Sequence, residues 1–235
     1  MTPTPSLQIQ TQLTDFERYN RWIHATLAPW IGRRILDAGC SRGNLTLRLH
    51  QAELVVALDR DEEALAQLTS SWRGTGRLYP LVHDLELPLP DHLRSLALDT
   101  VLCLNLLEHL DHDEAAIVGF RRVLVPGGRL LALVPALPWL YGSMDRFDGH
   151  HRRYTRTGLG QLLQRAGFQL EVLRYFNLPG ILPWFVAGRI LGRNTLATKV
   201  MAQLDPLFAL IERLERRWPP PLGQSLLAIA RNPEA

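Results

Sequence analysis

The sequence is almost free of lysine: Lys199 is the only one among the 26 lysine and arginine residues. The formal net charge is only +3, and no lysine-rich segment is present. Proteins that bind nucleic acid need a concentrated basic face, so the sequence predicts no nucleic-acid partner. We interpret the preference for arginine as a compositional bias.

The sequence also has few cysteines and no long apolar run. Cys40 and Cys103 are the only two cysteines, and both lie in apolar, strand-like segments, which indicates reduced thiols in the core. Residues 1–14 are polar and contain no apolar signal segment, and no uninterrupted apolar run reaches the length of a membrane span. We therefore expect a cytoplasmic protein, with any membrane contact peripheral and at the inner face.

The length and the hydrophobic pattern predict one α/β domain over residues 15–235, preceded by a flexible leader at 1–14. Apolar strand-like segments alternate with amphipathic helical segments, which predicts a doubly wound, mainly parallel sheet. The predicted strands are 34–38, 54–59, 77–82, 98–104, 129–134, 168–175 and 226–230, and the predicted helices are 15–28, 62–71, 113–123 and 157–166.

A glycine turn follows the first predicted strand. Gly39 and Gly43 let the backbone turn sharply and approach a ligand closely, and we expect a helix to follow, ending at His50. A strand, a glycine turn and a helix in this order line the nucleotide-binding crevice of open α/β sheets. The Gly-x-Gly-x-x-Gly pattern of nicotinamide enzymes is missing, which disfavours an oxidoreductase.

Acidic residues end the next two strands. Asp59 lies 22 positions after Asp37 (59 − 37), where one carboxylate can accept hydrogen bonds from both hydroxyls of a ribose. Asp84 can accept from an exocyclic amine such as that of adenine, while the N–H of Leu85 donates to a ring nitrogen. The alternative for either acid is a capping role in a helix or loop.

The fourth strand ends in the segment 105–110, which begins with Asn105. Glu108 and His109 are expected at the mouth of the crevice. His109 is either a proton-handling group or a structural histidine.

Together these motifs resemble those of the class I S-adenosylmethionine-dependent methyltransferases over residues 15–175. Residues 36–43 resemble the first motif, although Ser41 stands where the family usually has glycine. The later motifs correspond to Asp59, 84–85, 105–109 and 124–130. The resemblance implies a Rossmann-like sheet of seven strands with an antiparallel last strand, and S-adenosylmethionine as the cofactor. The cofactor-binding residues that it implies are Tyr19, Asp37, Gly39, Cys40, Gly43, Asp59, Arg60, Asp84, Leu85 and Asn105.

Residues 138–155 follow the fifth strand and hold two acids, two histidines, three arginines and two tyrosines. Such a density of titratable and aromatic groups favours acceptor binding over a charged surface loop. The pattern Gly-His-x-Arg-Arg-Tyr-Thr at 149–155 resembles a bacterial subgroup, mostly of unassigned substrate, that is often associated with glycan or glycolipid assembly. Our hypothesis is that His150 or His151 activates an acceptor hydroxyl and that Arg152 and Arg153 bind an anionic group such as a phosphate or carboxylate. The predicted catalytic residues are His109, His150, His151, Arg152, Arg153 and Tyr154.

The insertion at 178–218 separates the last two strands and combines apolar residues with arginines. It has three interpretations: a helical lid over the acceptor pocket, a contact with a membrane surface or a second copy of the chain, or additional core.

The sequence as a whole predicts methyl transfer to a small-molecule or lipid- or glycan-linked acceptor, with oxygen as the predicted methylated atom. Methyl transfer needs alignment of the nucleophile for in-line displacement, so neither a catalytic triad nor a metal is required, and no metal-ligand cluster is visible. The alternatives are N- or C-methylation of a small metabolite, and a regulatory subunit that binds the cofactor without turnover.

Overall fold

The computed structural model describes residues 17–195, 211–215 and 217–233. The predicted leader at 1–14 and the central part of the insertion lie outside the described residues.

Seven strands form one sheet: β1 (Arg34–Ala38), β2 (Leu54–Asp59), β3 (Arg77–Val82), β4 (Leu98–Leu104), β5 (Leu124–Pro135), β6 (Gln169–Phe176) and β7 (Ser225–Arg231). Their order across the sheet is β3-β2-β1-β4-β5-β7-β6. Strand β7 runs antiparallel to both of its neighbours, and the other pairs are parallel. This confirms the predicted doubly wound sheet with its antiparallel last strand.

The helices lie between these strands: α1 (Glu17–Leu27), α2 (Glu62–Ser71), α3 (Asp113–Val123), α4 (Ser143–Asp148), α5 (Arg156–Arg165) and α6 (Ile181–Trp184). Helix α2 begins where predicted, because the side chain of Asp61 accepts a hydrogen bond from Ala64 N (3.0 Å) and caps the first turn.

Both faces of the sheet are covered, because successive strand residues point to opposite sides. Ile35 and Val55 pack in the cluster that contains Trp22 of α1. Leu36 lies in the opposite cluster, together with Phe120 of α3. Since both faces are buried, a ligand reaches the sheet only at the strand ends.

The prediction of a helix directly after the glycine turn is wrong, because the chain forms only a 3₁₀ turn at Thr46–Arg48. Leu45 and Leu49 pack in the cluster that contains Trp22 of α1, whereas Leu47 packs against the cluster that contains Cys40. Apolar residues at every second position do not form the i, i+3, i+4 stripe of an amphipathic helix. The crevice therefore lacks the helix N-terminus that the sequence pattern had indicated.

Strand β1 lies between β2 and β4, where the strand order reverses. Asp37 is level with Ala57 of β2 and Leu102 of β4. In an open α/β sheet, a crevice opens outside the carboxyl ends of the strands at such a point, and ligands bind there.

The segment 136–155 contains regular secondary structure and is not an irregular loop. It contains a 3₁₀ turn at Pro138–Leu140 and helix α4, and a bridge joins Ala136 to Tyr154. The insertion begins with a 3₁₀ turn at Leu178–Gly180 and continues through α6 into a π-helical segment, Phe185–Ile190. In the part of the chain that the structure describes, no helix has the length and apolar character needed to cross a membrane.

Candidate active site

The glycine turn forms the floor of the crevice. Gly39 and Gly43 have φ angles of +71° and +84°, a region that glycine adopts without strain. The N–H groups of Gly39 and Cys40 both donate to Leu58 O, at 2.8 and 3.1 Å, so the turn is held against the end of β2. A Cβ atom on Gly39 would lie 2.8 Å from Cδ1 of Leu106, which leaves no room for a side chain beneath a ligand.

Asp59 is held in place at the end of β2. Its Oδ2 accepts from Ser41 N at 2.7 Å, and its Oδ1 accepts from Asp61 N at 3.0 Å. A carboxylate oxygen accepts more than one hydrogen bond, so both oxygens keep capacity for a ligand. The partly exposed carboxylate therefore faces the crevice in a fixed orientation.

Asp37 is buried beneath the turn, where its Oδ2 accepts from Thr46 Oγ1 at 2.5 Å. Burial, together with the negative charge of Asp59, raises its pKa to about 6, against the lowering effect of the Thr46 hydroxyl. A carboxylate at this position reduces the stability of the fold when it ionises. Such a loss of stability is common at residues that take part in ligand binding.

The other predicted cofactor residues lie at the edges of the crevice. Arg60, Asp84 and Asn105 are exposed, and Leu85 is buried. Asp84 Oδ1 accepts from Glu86 N at 3.0 Å, so it has the local capping role and remains accessible. Asn105 has a φ of +49°, and its N–H donates to Leu133 O at 2.7 Å.

Two predicted cofactor residues are more enclosed. Burial raises the pKa of Tyr19 to about 12, and its side chain hydrogen-bonds to those of Ser225 and Asn177, which ties α1 to the ends of β6 and β7. The thiol of Cys40 is buried, and burial raises its pKa far above the usual range.

A buried cluster of charged groups lies at the carboxyl end of β4. Glu108 is fully buried, and within the described residues neither of its carboxylate oxygens has a hydrogen-bond partner. The rings of His109 and His150 meet edge to face, with centroids 4.7 Å apart. Glu108, His109 and His150 each offer one ligand atom, and these atoms lie within 4.8 Å of one another. Sequence reasoning placed Glu108 near the crevice but missed it as a functional residue.

Asp145 connects this cluster to α4 and to the insertion. Its Oδ1 is 2.7 Å from Arg153 Nε and 3.0 Å from His150 Nδ1. Its Oδ2 accepts from Gly142 N at 2.9 Å and from Trp184 Nε1 at 3.2 Å. Burial alone would raise the pKa of Asp145, but His150 and Arg153 together lower it below the usual value.

The two histidines have opposite protonation behaviour. Burial acts to lower the pKa of His150, but hydrogen bonds to Asp145 and Asp148 outweigh it and raise the pKa to about 9. Burial, reinforced by the positive charge of His150, lowers the pKa of His109 to about 4. Near neutral pH, His150 is therefore a cation and His109 is neutral. Burial raises the pKa of Glu108 to about 7.

The six predicted catalytic residues divide into two groups. His109, His150 and Arg153 belong to the buried cluster, where the Arg153 guanidinium also lies 4.9 Å from the ring of Trp184. The other three contact acids near the start of α3: Arg152 is 3.1 Å and the Tyr154 hydroxyl 2.7 Å from Asp113 Oδ2, and His151 Nδ1 is 3.3 Å from Asp111 Oδ1. Burial raises the pKa of Tyr154, which therefore stays protonated.

The sheet order, the glycine turn after β1 and the carboxylate at the end of β2 are those of the Rossmann-like methyltransferase fold. Comparisons with known proteins agree. Residues 36–132 match a family model described as a methyltransferase domain. An S-adenosylmethionine-dependent methyltransferase from Mesorhizobium loti has the same fold, with a TM-score of 0.62 at 21% identity over 93% of this chain and 99% of that one.

Two curated relatives are similar in sequence. A probable S-adenosylmethionine-dependent methyltransferase of Mycolicibacterium smegmatis is 32% identical over 148 residues, which is 60% of this chain and 53% of the relative. The chain thus spans about half the length of that relative. A ubiquinone biosynthesis O-methyltransferase of Chromobacterium violaceum is 29% identical over 170 residues, which is 64% of this chain and 69% of the relative.

The chain therefore contains a methyltransferase domain and is similar to S-adenosylmethionine-dependent methyltransferases in sequence and fold. These similarities indicate S-adenosylmethionine as the cofactor. The residues of the crevice fit this molecule. Gly39 and Gly43 carry no side chain that could block a ligand at the turn, and Asp59 offers two oriented oxygens to a ribose. Asp84 and the Leu85 N–H lie beyond the neighbouring strand β3.

Proposed function

We propose that the protein transfers the methyl group of S-adenosylmethionine to a hydroxyl oxygen of a small-molecule or lipid-linked acceptor. The observation that carries this proposal is the Glu108 carboxylate, which is buried at the end of β4 without a hydrogen-bond partner in the described part of the chain. An unpaired carboxylate beside the crevice is an acceptor for the O–H group of a substrate.

The residues proposed to bind the cofactor lie at the carboxyl ends of the strands. When bound, the cofactor supplies a methyl group on a sulfonium, which is a good leaving group. Gly39 and Gly43 give its methionine part a close approach to the backbone. Asp59 accepts from the ribose hydroxyls, and Asp84 with the Leu85 N–H holds the adenine.

On the acceptor side, Glu108 and His109 orient the hydroxyl and take its proton. Both ring nitrogens of His150 are engaged, Nδ1 at 3.0 Å from Asp145 and Nε2 at 3.1 Å from Asp148, so His150 is less suited to this role. Arg152 also has its carboxylate partner, Asp113, which limits it as an anion-binding group. The name of the O-methyltransferase relative supports oxygen as the methylated atom.

An exposed apolar stripe on the insertion supports a lipid-linked acceptor. Leu178, Leu182, Val186 and Ile190 recur every four residues, and each is between 37% and 69% exposed. Leu182, Val186 and Ile190 lie in α6 and the π-helical segment, where residues four apart lie close to one face. We propose that this face contacts the inner surface of the membrane, with the exposed Arg189 beside it to attract anionic lipid.

The proposed activity is tested first by measuring cofactor binding and then by measuring turnover. Calorimetry measures S-adenosylmethionine affinity, and labelled cofactor is then incubated with hydroxylated acceptors and with a lipid extract. We expect Glu108→Gln to keep cofactor affinity and to reduce methyl incorporation by about 10²–10⁴-fold, the range of general acid–base catalysis. Asp91→Asn, on the exposed surface, serves as the matched control. Mass spectrometry locates the added methyl group.

Three results contradict the proposal. Cofactor binding without incorporation into any acceptor indicates a regulatory subunit, and a methyl group found on nitrogen or carbon overturns O-methylation. For the membrane contact, the double variant Leu182→Glu/Ile190→Glu is expected to abolish flotation with anionic liposomes. Leu87→Glu, at an equally exposed leucine, should leave flotation unchanged. Recovery of the unmodified protein only in the soluble fraction rules out the contact.

A further inference from the structure

The buried Glu108 carboxylate is expected to have a binding partner. A buried polar group without a hydrogen bond is rare in folded proteins, and a buried carboxylate without compensation is costly. Glu108 is fully buried, and both of its oxygens lack a partner within the described residues. One ligand atom each from Glu108, His109 and His150 lies within 4.8 Å of the others.

His150 is oriented by a second carboxylate. Its Nδ1 is 3.0 Å from Asp145 Oδ1, and Asp145 is itself held by Arg153 and by the N–H groups of Gly142 and Trp184. Its Nε2 lies 3.1 Å from Asp148 Oδ2, so an ion bound at Nε2 would take the place of the proton between these two atoms. A histidine whose second nitrogen is fixed by a carboxylate is the usual form of a metal-binding histidine.

The charges around the cluster favour a cation. Glu108, Asp145 and Asp148 bring three carboxylates together, and Arg153 is the arginine that pairs with Asp145 among them. Asp148 Oδ2 lies 3.1 Å from His150 Nε2, so this carboxylate borders the cluster. With His150 neutral, an ion with two positive charges and Arg153 together would balance the three carboxylates.

We propose that Glu108, His109 and His150 form a binding site for a divalent transition-metal ion, with Zn²⁺ as the best match. Two imidazole nitrogens and one carboxylate are the ligands of catalytic zinc sites that keep an open position. Imidazole ligands disfavour Mg²⁺ and Ca²⁺, which prefer oxygen. Ligand atoms bound at about 2.1 Å lie roughly 3.4 Å apart in a tetrahedral site, so small side-chain rotations close the observed spacing.

An open position on such an ion would be available to the acceptor oxygen and would lower the pKa of its hydroxyl. This last step rests on the proposed function, whereas the binding of the ion does not. The sequence indicated no metal cluster, because His150 lies 41 positions after His109 (150 − 109) and only the fold brings them together.

The test uses the full chain after treatment with a chelator. Calorimetry with ZnCl₂ alone is expected to give one site per chain, and Zn²⁺ should raise the melting temperature. Glu108→Gln and His109→Asn should each weaken Zn²⁺ binding at least tenfold, while MgCl₂ should bind far more weakly to the unmodified protein. His50→Asn, at an exposed histidine remote in the sequence from the cluster, is the matched control.

The outcomes separate the metal site from the proposed activity. Failure of the unmodified protein to bind Zn²⁺, or variants that bind it as tightly as the control, overturns the site. Methyl incorporation that persists in the metal-free protein, together with absent Zn²⁺ binding, overturns the site and leaves the proposed function intact. One bound Zn²⁺ that both variants lose, without methyl incorporation into any acceptor, supports the site and contradicts the function.

Discussion

Asp145→Asn is expected to destabilise the protein strongly, although the change replaces only one atom. Asp145 is fully buried and accepts hydrogen bonds on both oxygens. Its Oδ1 contacts Arg153 and His150, and its Oδ2 contacts the N–H groups of Gly142 and Trp184. Asparagine keeps one acceptor oxygen and puts an NH₂ group in place of the other. In either orientation, two donors lose their acceptor and face another donor.

The size of the effect follows from the ion pair. Arg153 Nε lies 2.7 Å from Asp145 Oδ1, and both side chains are fully buried. Removing one partner of a buried ion pair costs about 3–5 kcal/mol, because the remaining charge is uncompensated. In a chain of this size, 1 kcal/mol shifts the melting temperature by about 2–4 °C. The variant should therefore melt about 6–20 °C below the unmodified protein.

Thermal unfolding followed by circular dichroism, without metal or cofactor, measures this shift. The control is Asp91→Asn, whose carboxylate forms an exposed pair with Arg94 and should change stability by no more than about 0.5 kcal/mol. The double variant Asp145→Asn/Arg153→Met removes both charges and should recover part of the loss. A drop of less than 2 °C, or a double variant no more stable than the single one, would refute the reasoning.

Three further predictions concern the crevice. Asp59→Asn should weaken S-adenosylmethionine binding, measured by calorimetry, by about 10–100-fold, the equivalent of one charge-assisted hydrogen bond. Asp37→Asn should stabilise the cofactor-free protein above pH 6 by up to about 3 kcal/mol. The folded-state pKa of about 6 lies above the ordinary 3.8, so ionisation costs stability as the pH rises from about 4 to 6, and the gain should vanish below pH 4. Gly39→Ala should lower both stability and cofactor affinity, because its Cβ would meet Leu106 at 2.8 Å and its φ is +71°. Gly192→Ala shares the positive φ, +59°, but has nothing within 4 Å of its Cβ, so it isolates the backbone strain from the collision.

Each of these predictions has a result that contradicts it. Unchanged affinity of Asp59→Asn removes the assigned ribose contact. A stability difference for Asp37→Asn that does not vary between pH 4 and pH 8 contradicts the burial of an ionising group. A loss in Gly39→Ala no larger than that in Gly192→Ala, measured by thermal unfolding, means that the Leu106 contact is easily relieved.

Much of the fold could be predicted from the sequence because its signals are local. The apolar runs of β1 to β4 and the capping residue Asp61 mark where each element starts and stops, and the strand bounds agree with the structure. The position of Asp59 in the crevice could be predicted in the same way, because the carboxyl ends of parallel strands meet at one edge of the sheet. The helix after the glycine turn was mispredicted, because the leucines at 45, 47 and 49 alternate with polar residues and do not form a helical stripe.

The sequence by itself determined the class of fold, the glycine turn and the acids of the cofactor crevice, since each depends on residues close together in the chain. Only the tertiary structure decided the chemistry at the end of β4. Whether Glu108 has a partner, and whether His150 is a cation, depends on groups that the fold brings from 145–153. Burial and hydrogen bonding set the charge of a side chain, and neither can be read from its position in the sequence.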